Sequence, residues 1–192
     1  MKGFLRSIAI VSVLSVSATA AQLLPLQHKP IMESTAQVQG SIFISDILGS
    51  QKPISIFASF TRDVTAISSR LESQNTNTTL LAPLNSAISA LPRKPWEDPK
   101  DYDRLGEQAY LGSGGSERAA QNLERFVNAH VVPVSPWQEG DKVTTLAGRE
   151  IWWETRDGDM IVMPDGVAVE KVAKQVGNGE VWILKNVVNY AS

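Results

Sequence analysis

Residues 78–91 constrain the fold more than any other part of this sequence, because they predict a buried strand that turns abruptly into a helix. Residues 78–82 form a β-branched and apolar run of strand length, and Pro83 ends it because proline has no N–H for a further ladder bond. Asn85 stands where a helix N-cap belongs, and residues 86–91 have apolar side chains at helical spacing. We therefore expect this corner to lie in the centre of the core.

Residues 1–20 have the pattern of a secretory signal peptide. Lys2 and Arg6 supply a positively charged start, residues 8–16 are apolar apart from serine, and residues 18–20 form a small-residue cleavage site. The apolar stretch is shorter than the roughly 20 residues that a membrane-spanning helix needs. A cleaved signal is therefore expected.

Cleavage before Ala21 leaves a short leader and one folded domain. Residues 21–40 contain two prolines and no sustained apolar face, so we expect a flexible leader. The domain is predicted over residues 41–190, with an insert at about residues 93–115. No second long apolar segment and no apolar carboxyl-terminal tail are present in the sequence, so we expect neither a membrane span nor a glycolipid anchor.

Composition excludes several classes of function. Removal of Lys2 and Arg6 with the signal peptide leaves 16 basic against 20 acidic residues, a net charge of −4. This balance argues against a nucleic-acid partner, which needs clustered basic residues. The chain has no cysteine, so cysteine nucleophiles, thiolate metal sites and disulfides are excluded. We expect the fold to depend on its hydrophobic core.

Three further segments have helical periodicity. Residues 41–49 predict a short helix capped by Ser41, and residues 53–71 predict a longer helix with apolar positions at steps of three and four. A third helix is predicted over residues 116–129, capped by Ser116 after the glycine-rich loop at residues 112–115. Each helix has one apolar face to bury.

The last third of the sequence predicts β structure. Asp157-Gly158 is the strongest short hairpin signal available, because both positions of the favoured two-residue turn need a positive φ. With this loop, Trp152 opposes Met163 across the two strands, on the less apolar face, and is expected to be at least partly exposed. Residues 180–188 are too apolar for an edge strand, so we expect them in the middle of a sheet.

Three short blocks resemble signature motifs of the fasciclin domain family. The first contains Pro83 and Asn85 at the strand-to-helix corner, and the second contains His130 in a segment similar to the family's Tyr-His block. The third begins with Asn178-Gly179 and runs into the last predicted strand. The blocks follow one another in the family's order.

The resemblance implies an α+β fold, a compact β-sandwich or wedge with several helices packed on one side. It also implies an adhesion or matrix-interaction module without catalysis. The family's Tyr-His pair is reduced to His130, and its Asp-Ile cell-binding pair falls on Ala173 and Lys174, so we expect a partner other than an integrin-type receptor. The insert with Trp96 resembles that of fungal single-domain members.

Aromatic side chains at a wet surface are the candidates for a binding site. Trp152 with Met163 is expected on an exposed hairpin face, and Trp96 and Trp137 each lie beside a proline. Such rings stack on sugars or anchor protein interfaces. Alternatively, all five tryptophans pack in the core or in loops. His130 is expected to be a satisfied core residue rather than a catalyst.

Asn77 begins the one glycosylation sequon of the sequence, Asn77-Thr78-Thr79. In a secretory protein this sequon predicts a glycan on the loop before the first strand. The alternative is an unused sequon, because Asn77 abuts a strand that we expect to be buried.

No motif of a nucleophile with its base, or of a metal site, is present in the sequence, and no cofactor is expected. We expect a non-catalytic, secreted or vacuolar adhesion module that contacts a protein or polysaccharide of the cell surface or wall. Two alternatives remain. One is a hydrolase or divalent-ion-dependent protein that uses the acidic set Glu97, Asp98, Asp101 and Asp103, and the other is a structural protein of the vacuolar lumen.

Overall fold

The structure, a computed structural model, describes residues 41–190, and the predicted signal peptide and leader lie outside this range. Its helices are α1 (Ile44–Leu48), α2 (Ser55–Asp63), α3 (Thr65–Glu72), α4 (Asn85–Ser89), α5 (Pro99–Leu105) and α6 (Gly112–Ala129), with short 3-10 turns at Lys52–Ile54 and Gly106–Gln108. Its strands are β1 (Thr78–Pro83), β2 (Val131–Val132), β3 (Val143–Thr144), β4 (Glu150–Arg156), β5 (Asp159–Met163), β6 (Val167–Val176) and β7 (Gly179–Leu184). Within the described range, none of these helices is long and apolar enough to cross a membrane.

The seven strands form one sheet in the order β2-β1-β7-β6-β5-β4-β3. β1 and β7 run parallel, from the pair Thr78–Gly179 to the pair Pro83–Leu184, and every residue of both strands is buried. The other neighbouring strands are antiparallel. A pair of strands buried on both faces needs covering layers on both sides. The predictions of a buried first strand and a central last strand are therefore confirmed.

The two faces of β1 and β7 pack into different clusters. On one face, Leu80 and Ile183 contact the buried sides of the helices, including Phe57 and Phe126, and we name this the helix-side cluster. On the other face, Leu81, Trp182 and Leu184 pack against side chains of the remaining strands, and we name this the inner cluster, with Ile151, Val162, Val167 and Val169. The sheet thus folds over itself while the helices cover one side, an α+β wedge as expected.

The helix predicted over residues 53–71 is broken at Val64. The backbone of Val64 is extended, with φ −98° and ψ 96°, so it separates α2 from α3. The apolar stripe that predicted one helix is nevertheless buried throughout, at Phe57, Phe60, Val64, Ile67 and Leu71. Periodicity therefore found the buried face but missed the break. The prediction that Ser41 caps the first helix is also wrong, because Phe43 occupies that position before Ile44.

The prediction that Ser116 caps the third helix is wrong as well. α6 begins at Gly112, so the glycine-rich segment is its first turn rather than a loop. Position 115 requires glycine, because a Cβ atom there would lie 2.2 Å from the carbonyl carbon of Tyr110. Glycine has low helix propensity, which is why the sequence predicts a loop for the glycine-rich segment.

The β4–β5 hairpin has the predicted loop and register. Asp157 and Gly158 have φ values of 53° and 87°, as the two-residue turn requires. Trp152 pairs with Met163, and Arg156 pairs with Asp159. The hairpin therefore presents one face to the inner cluster and the other outward.

Candidate functional site

The outward side of the hairpin forms an apolar surface of three side chains, Trp152, Ile161 and Met163, which we name the outer hairpin face. Each is half-buried, whereas Ile151 and Val162, on the opposite side, are buried in the inner cluster. Side chains alternate across a strand, so this division follows from the register. The prediction that Trp152 is at least partly exposed is confirmed.

Charged groups surround the indole of Trp152. The Lys142 ammonium lies 5.1 Å from the centroid of the Trp152 ring and also pairs with Glu150 at 3.0 Å. The indole Nε1 donates to the Glu154 carboxylate at 3.4 Å. A cation beside an aromatic face contributes about 0.5–1 kcal/mol at an exposed site. These contacts favour the observed orientation of the ring, and charges of both signs border its apolar face.

Trp96 lies on a different surface. Its ring is half-buried and meets Phe60 edge-to-face, with 6.1 Å between the centroids. It contributes to a shallow groove with Ala119, Ala120 and Leu123 of α6. Trp96 packs against the helix-side cluster, so the structure does not bring it together with Trp152.

Trp137 is buried, and the prediction that its ring is exposed is wrong. It is 3% exposed and stacks on Trp182 with 5.4 Å between the centroids. Its Nε1 donates to the carbonyl oxygen of Asp141 at 3.0 Å. Trp153 meets Trp182 edge-to-face, so three indoles fill part of the inner cluster. Pro136 correctly indicated a loop at this position, but the loop packs over the inner cluster and buries the Trp137 ring.

Pro83 and Asn85 of the first motif support the fold. Pro83 ends β1 as predicted, but Leu84 rather than Asn85 is the N-cap of α4. Asn85 Oδ1 instead accepts from the backbone N–H of Ile56 at 2.9 Å, in the first turn of α2. Its Nδ2 donates to the carbonyl oxygen of Lys52 at 2.9 Å. Asn85 therefore caps a different helix, which starts 30 residues earlier in the chain.

Asn178 and Gly179 of the last motif are also structural. Asn178 is 0% exposed, and its side chain accepts from the Ile44 N–H and donates to the Leu71 carbonyl. Gly179 has φ 143°, and a Cβ atom there would lie 1.8 Å from the carbonyl oxygen of Thr78. This position therefore requires glycine so that β1 and β7 can approach.

His130 is a satisfied core residue, as predicted. It is 0% exposed, its Nδ1 lies 2.7 Å from the carbonyl oxygen of Phe126, and its Nε2 lies 3.3 Å from the backbone nitrogen of Val188. A neutral ring that donates from Nδ1 and accepts at Nε2 satisfies both contacts. Burial lowers the pKa of His130 to about 4, so the ring is neutral at physiological pH.

The acidic residues of the insert are held by hydrogen bonds. Asp98 caps α5 by accepting from the Lys100 N–H at 2.9 Å, and it pairs with Arg125 at 2.9 Å. Asp101 accepts from Asn122 at 3.1 Å and from the Tyr110 hydroxyl at 3.0 Å. The hydrogen bond from Asn122 is the main reason why the pKa of Asp101 is lowered. Between residues 41 and 190, no three His, Asp or Glu side chains are grouped to hold a metal ion.

A pocket of about 270 Å³ lies between the insert and α6, and sequence reasoning missed it. We name it the insert pocket. Its lining includes Pro92 just before the insert, Pro95 and Pro99 within it, and also Arg93, Arg125 and Tyr190. The proline spacing in the insert was a visible signal, but nothing in the sequence places Tyr190 beside it.

Asn77 lies at the protein surface. It is exposed in the loop between α3 and β1, and its carbonyl oxygen accepts from Arg70 at 3.0 Å. Thr79 of the same sequon is buried, and its hydroxyl donates to the Val134 carbonyl at 2.7 Å. The asparagine side chain is thus accessible although the adjoining strand is not.

The sequence matches the family model of the Fasciclin domain over residues 52–189. A FAS1 domain-containing protein of Neurospora crassa is 48% identical over 169 residues, which cover 86% of this chain and 74% of that protein. A FAS1 domain-containing protein of Emericella nidulans is 51% identical over 148 residues, which cover 76% of this chain and 61% of that protein. A third FAS1 domain-containing protein, of Aspergillus fumigatus, is 49% identical over 148 residues, which cover 77% of this chain and 63% of that protein.

The fold is similar to a solved FAS1 domain pair from the insect cell adhesion molecule fasciclin I. The TM-score is 0.50 at 10% sequence identity, over 77% of this chain and 50% of the other. This likeness concerns the fold alone. The family match covers most of the chain and agrees with the motif residues described above. The chain belongs to the fasciclin domain family, whose members are commonly adhesion or binding modules, often extracellular and generally non-enzymatic.

Proposed function

We propose that this chain is a non-catalytic binding module of the secretory pathway that attaches to a protein or polysaccharide of the cell surface or cell wall. The outer hairpin face is its contact surface. The observation that carries the proposal is the half-exposed indole of Trp152, which stands beside Met163 on the side of the hairpin that faces away from the inner cluster.

The indole of Trp152 contributes little to the hydrophobic core. Ile151 and Val162 already fill the core side of the hairpin, so Trp152 leaves apolar surface in water. Covering such surface with a partner contributes roughly 25 cal/mol per Å². Tryptophan and methionine are enriched at protein interfaces, and a flat indole also stacks on a sugar ring. The proposal for secretion rests on the signal-peptide pattern and on the family.

The test is a binding assay with the full chain and the variant Trp152→Ala, using cell-wall and membrane fractions. Val172→Ala is the matched control, because Val172 is a 41% exposed apolar residue on β6 outside the outer hairpin face. We expect Trp152→Ala to weaken binding about tenfold or more, as for an interface anchor, and Val172→Ala to bind like the original protein. Unchanged binding by Trp152→Ala would contradict the proposed surface.

Two treatments of the fractions separate the proposed partner classes. Protease digestion removes the binding if the partner is a protein, and glucanase or chitinase digestion removes it if the partner is a polysaccharide. Microscopy of the tagged full chain then compares wall with vacuole. Exclusive accumulation in the vacuolar lumen would contradict attachment to the wall.

We also propose that Asn77 carries an N-linked glycan. Its exposed position between α3 and β1 supports this, because a glycan there extends into solvent. Asn77→Gln should abolish the mass decrease caused by peptide-N-glycosidase treatment of the protein purified from a fungal host. Asn75→Gln is the control, since Asn75 is exposed in the same loop outside the sequon and should leave the decrease intact.

A further inference from the structure

The insert pocket has apolar walls and a charged rim. Pro92, Pro95 and Pro99 line it together with Tyr190, whose ring is fixed by an edge-to-face contact with Phe126 at 4.8 Å. Its volume of about 270 Å³ is just below the usual range for drug-sized ligands. The pocket therefore suits a small, flat apolar body.

The carboxylates of the rim already have hydrogen-bond donors. Glu97 accepts from the Lys94 N–H at 3.1 Å and from the Tyr102 hydroxyl at 3.2 Å. Asp98 accepts from the Lys100 N–H and from Arg125, as described above. Arg125 also donates to Asn122 at 3.1 Å. The two carboxylates and Arg125 are therefore engaged in hydrogen bonds within the protein.

Arg93 differs from the other charged groups of the rim. Its guanidinium lies 4.7 Å from the centroid of the Tyr102 ring and lines the pocket. It makes no hydrogen bond or ion pair with any residue between 41 and 190. Stacking on an aromatic ring orients a guanidinium while leaving its planar N–H donors available. Arg93 is therefore a positioned donor group at the pocket.

Charge balance restricts the ligand further. Arg93, Lys100 and Arg125 together with Glu97 and Asp98 give the rim a net charge of +1. A single negative charge balances this set, whereas a phosphate dianion would leave an excess of negative charge. A carboxylate matches the guanidinium fork with two parallel hydrogen bonds. We propose that the insert pocket binds a small aromatic carboxylate, with its ring between the prolines and Tyr190 and its carboxylate on Arg93.

Titration of the full chain with 2-naphthoate and with the uncharged 2-naphthalenemethanol tests this proposal. The original protein should bind the acid more tightly than the alcohol. Arg93→Gln should weaken binding of the acid about fivefold, the upper value for a solvent-accessible ion pair, and leave the alcohol unaffected. Arg104→Gln is the matched control, because this exposed arginine pairs with Asp101 and does not line the pocket. It should bind both compounds like the original protein.

Three results would overturn the proposal: no saturable binding of 2-naphthoate at roughly millimolar concentration, equal affinity for acid and alcohol, or an unchanged affinity of Arg93→Gln for the acid. Trp152→Ala should bind 2-naphthoate normally. The proposal for the insert pocket and the proposal for the outer hairpin face are therefore tested independently.

Discussion

The side-chain amide of Asn178 donates to the carbonyl oxygen of Leu71 at 2.7 Å, across 107 residues of sequence. The same side chain accepts from the N–H of Ile44 at 2.9 Å. One buried residue therefore joins the start of α1 and the end of α3 to the turn before β7. Asn178 is 0% exposed, so these hydrogen bonds are shielded from solvent.

We predict that Asn178→Ala lowers the free energy of unfolding by about 2–4 kcal/mol, because it leaves a buried N–H and a buried carbonyl without partners. Urea unfolding of the full chain measures this. Asn186→Ala is the control, because Asn186 is exposed and, among residues 41–190, its side chain accepts a hydrogen bond only from the adjacent Val187 N–H. Equal stability of the two variants would contradict the role assigned to Asn178.

Two glycines with positive φ should differ in their tolerance of alanine. Gly158→Ala meets no atom within 4 Å, so we expect it to cost only the strain of the left-handed backbone, about 1 kcal/mol. Gly179→Ala adds a clash with the Thr78 carbonyl and should cost about 3 kcal/mol or more, or prevent folding. Urea unfolding and the yield of folded protein distinguish them, and similar losses would show that the β1–β7 approach is not limiting.

Stability should fall as the pH decreases below the ordinary pKa of histidine. Burial lowers the pKa of His130 from 6.5 to about 4, so between these values the unfolded chain binds a proton that the folded protein does not. The contribution is complete above pH 6.5 and decreases toward pH 4. Linkage gives a loss of about 2 kcal/mol between roughly pH 8 and pH 5.

Urea unfolding over this pH range measures the loss. His130→Gln should show a shallower pH dependence, whatever its stability at neutral pH, because glutamine does not titrate. An identical slope in both proteins would mean that other groups account for the whole effect.

Trp137 and Trp152, both candidate binding residues by sequence, should respond differently to truncation. Trp137→Ala empties part of the inner cluster and should cost about 3–5 kcal/mol. Trp152→Ala removes a half-exposed ring and should cost about 1 kcal/mol. Urea unfolding compares them, and a larger loss for Trp152→Ala would make that residue a structural one and weaken its role in binding.

Local sequence rules predicted the parts of the fold that local interactions determine. The Asp157-Gly158 turn sets the register of the hairpin by itself, so the Trp152–Met163 pair followed correctly. The buried corner at Pro83 followed from strand length and the missing N–H. Resemblance to a family supplied the α+β architecture that no local rule contains.

Several errors have a common physical origin in contacts between distant segments. Asn85 has the chemistry of a cap, but its partner Ile56 belongs to another helix. The burial of Trp137 depends on Trp182, which is 45 residues away in the sequence. The insert pocket likewise needs Tyr190, which is remote in sequence from the prolines. Periodicity and turn chemistry contain no information on such long-range contacts.

The parallel pairing of β1 with β7 has a consequence for biosynthesis. The two strands are about 100 residues apart, so at about 5–20 residues per second the nascent β1 waits roughly 5–20 s for its partner. Helices formed in that interval can cover only one face of β1. The other face, which includes Leu81, therefore stays exposed to solvent until β7 has been synthesised and can pair with β1.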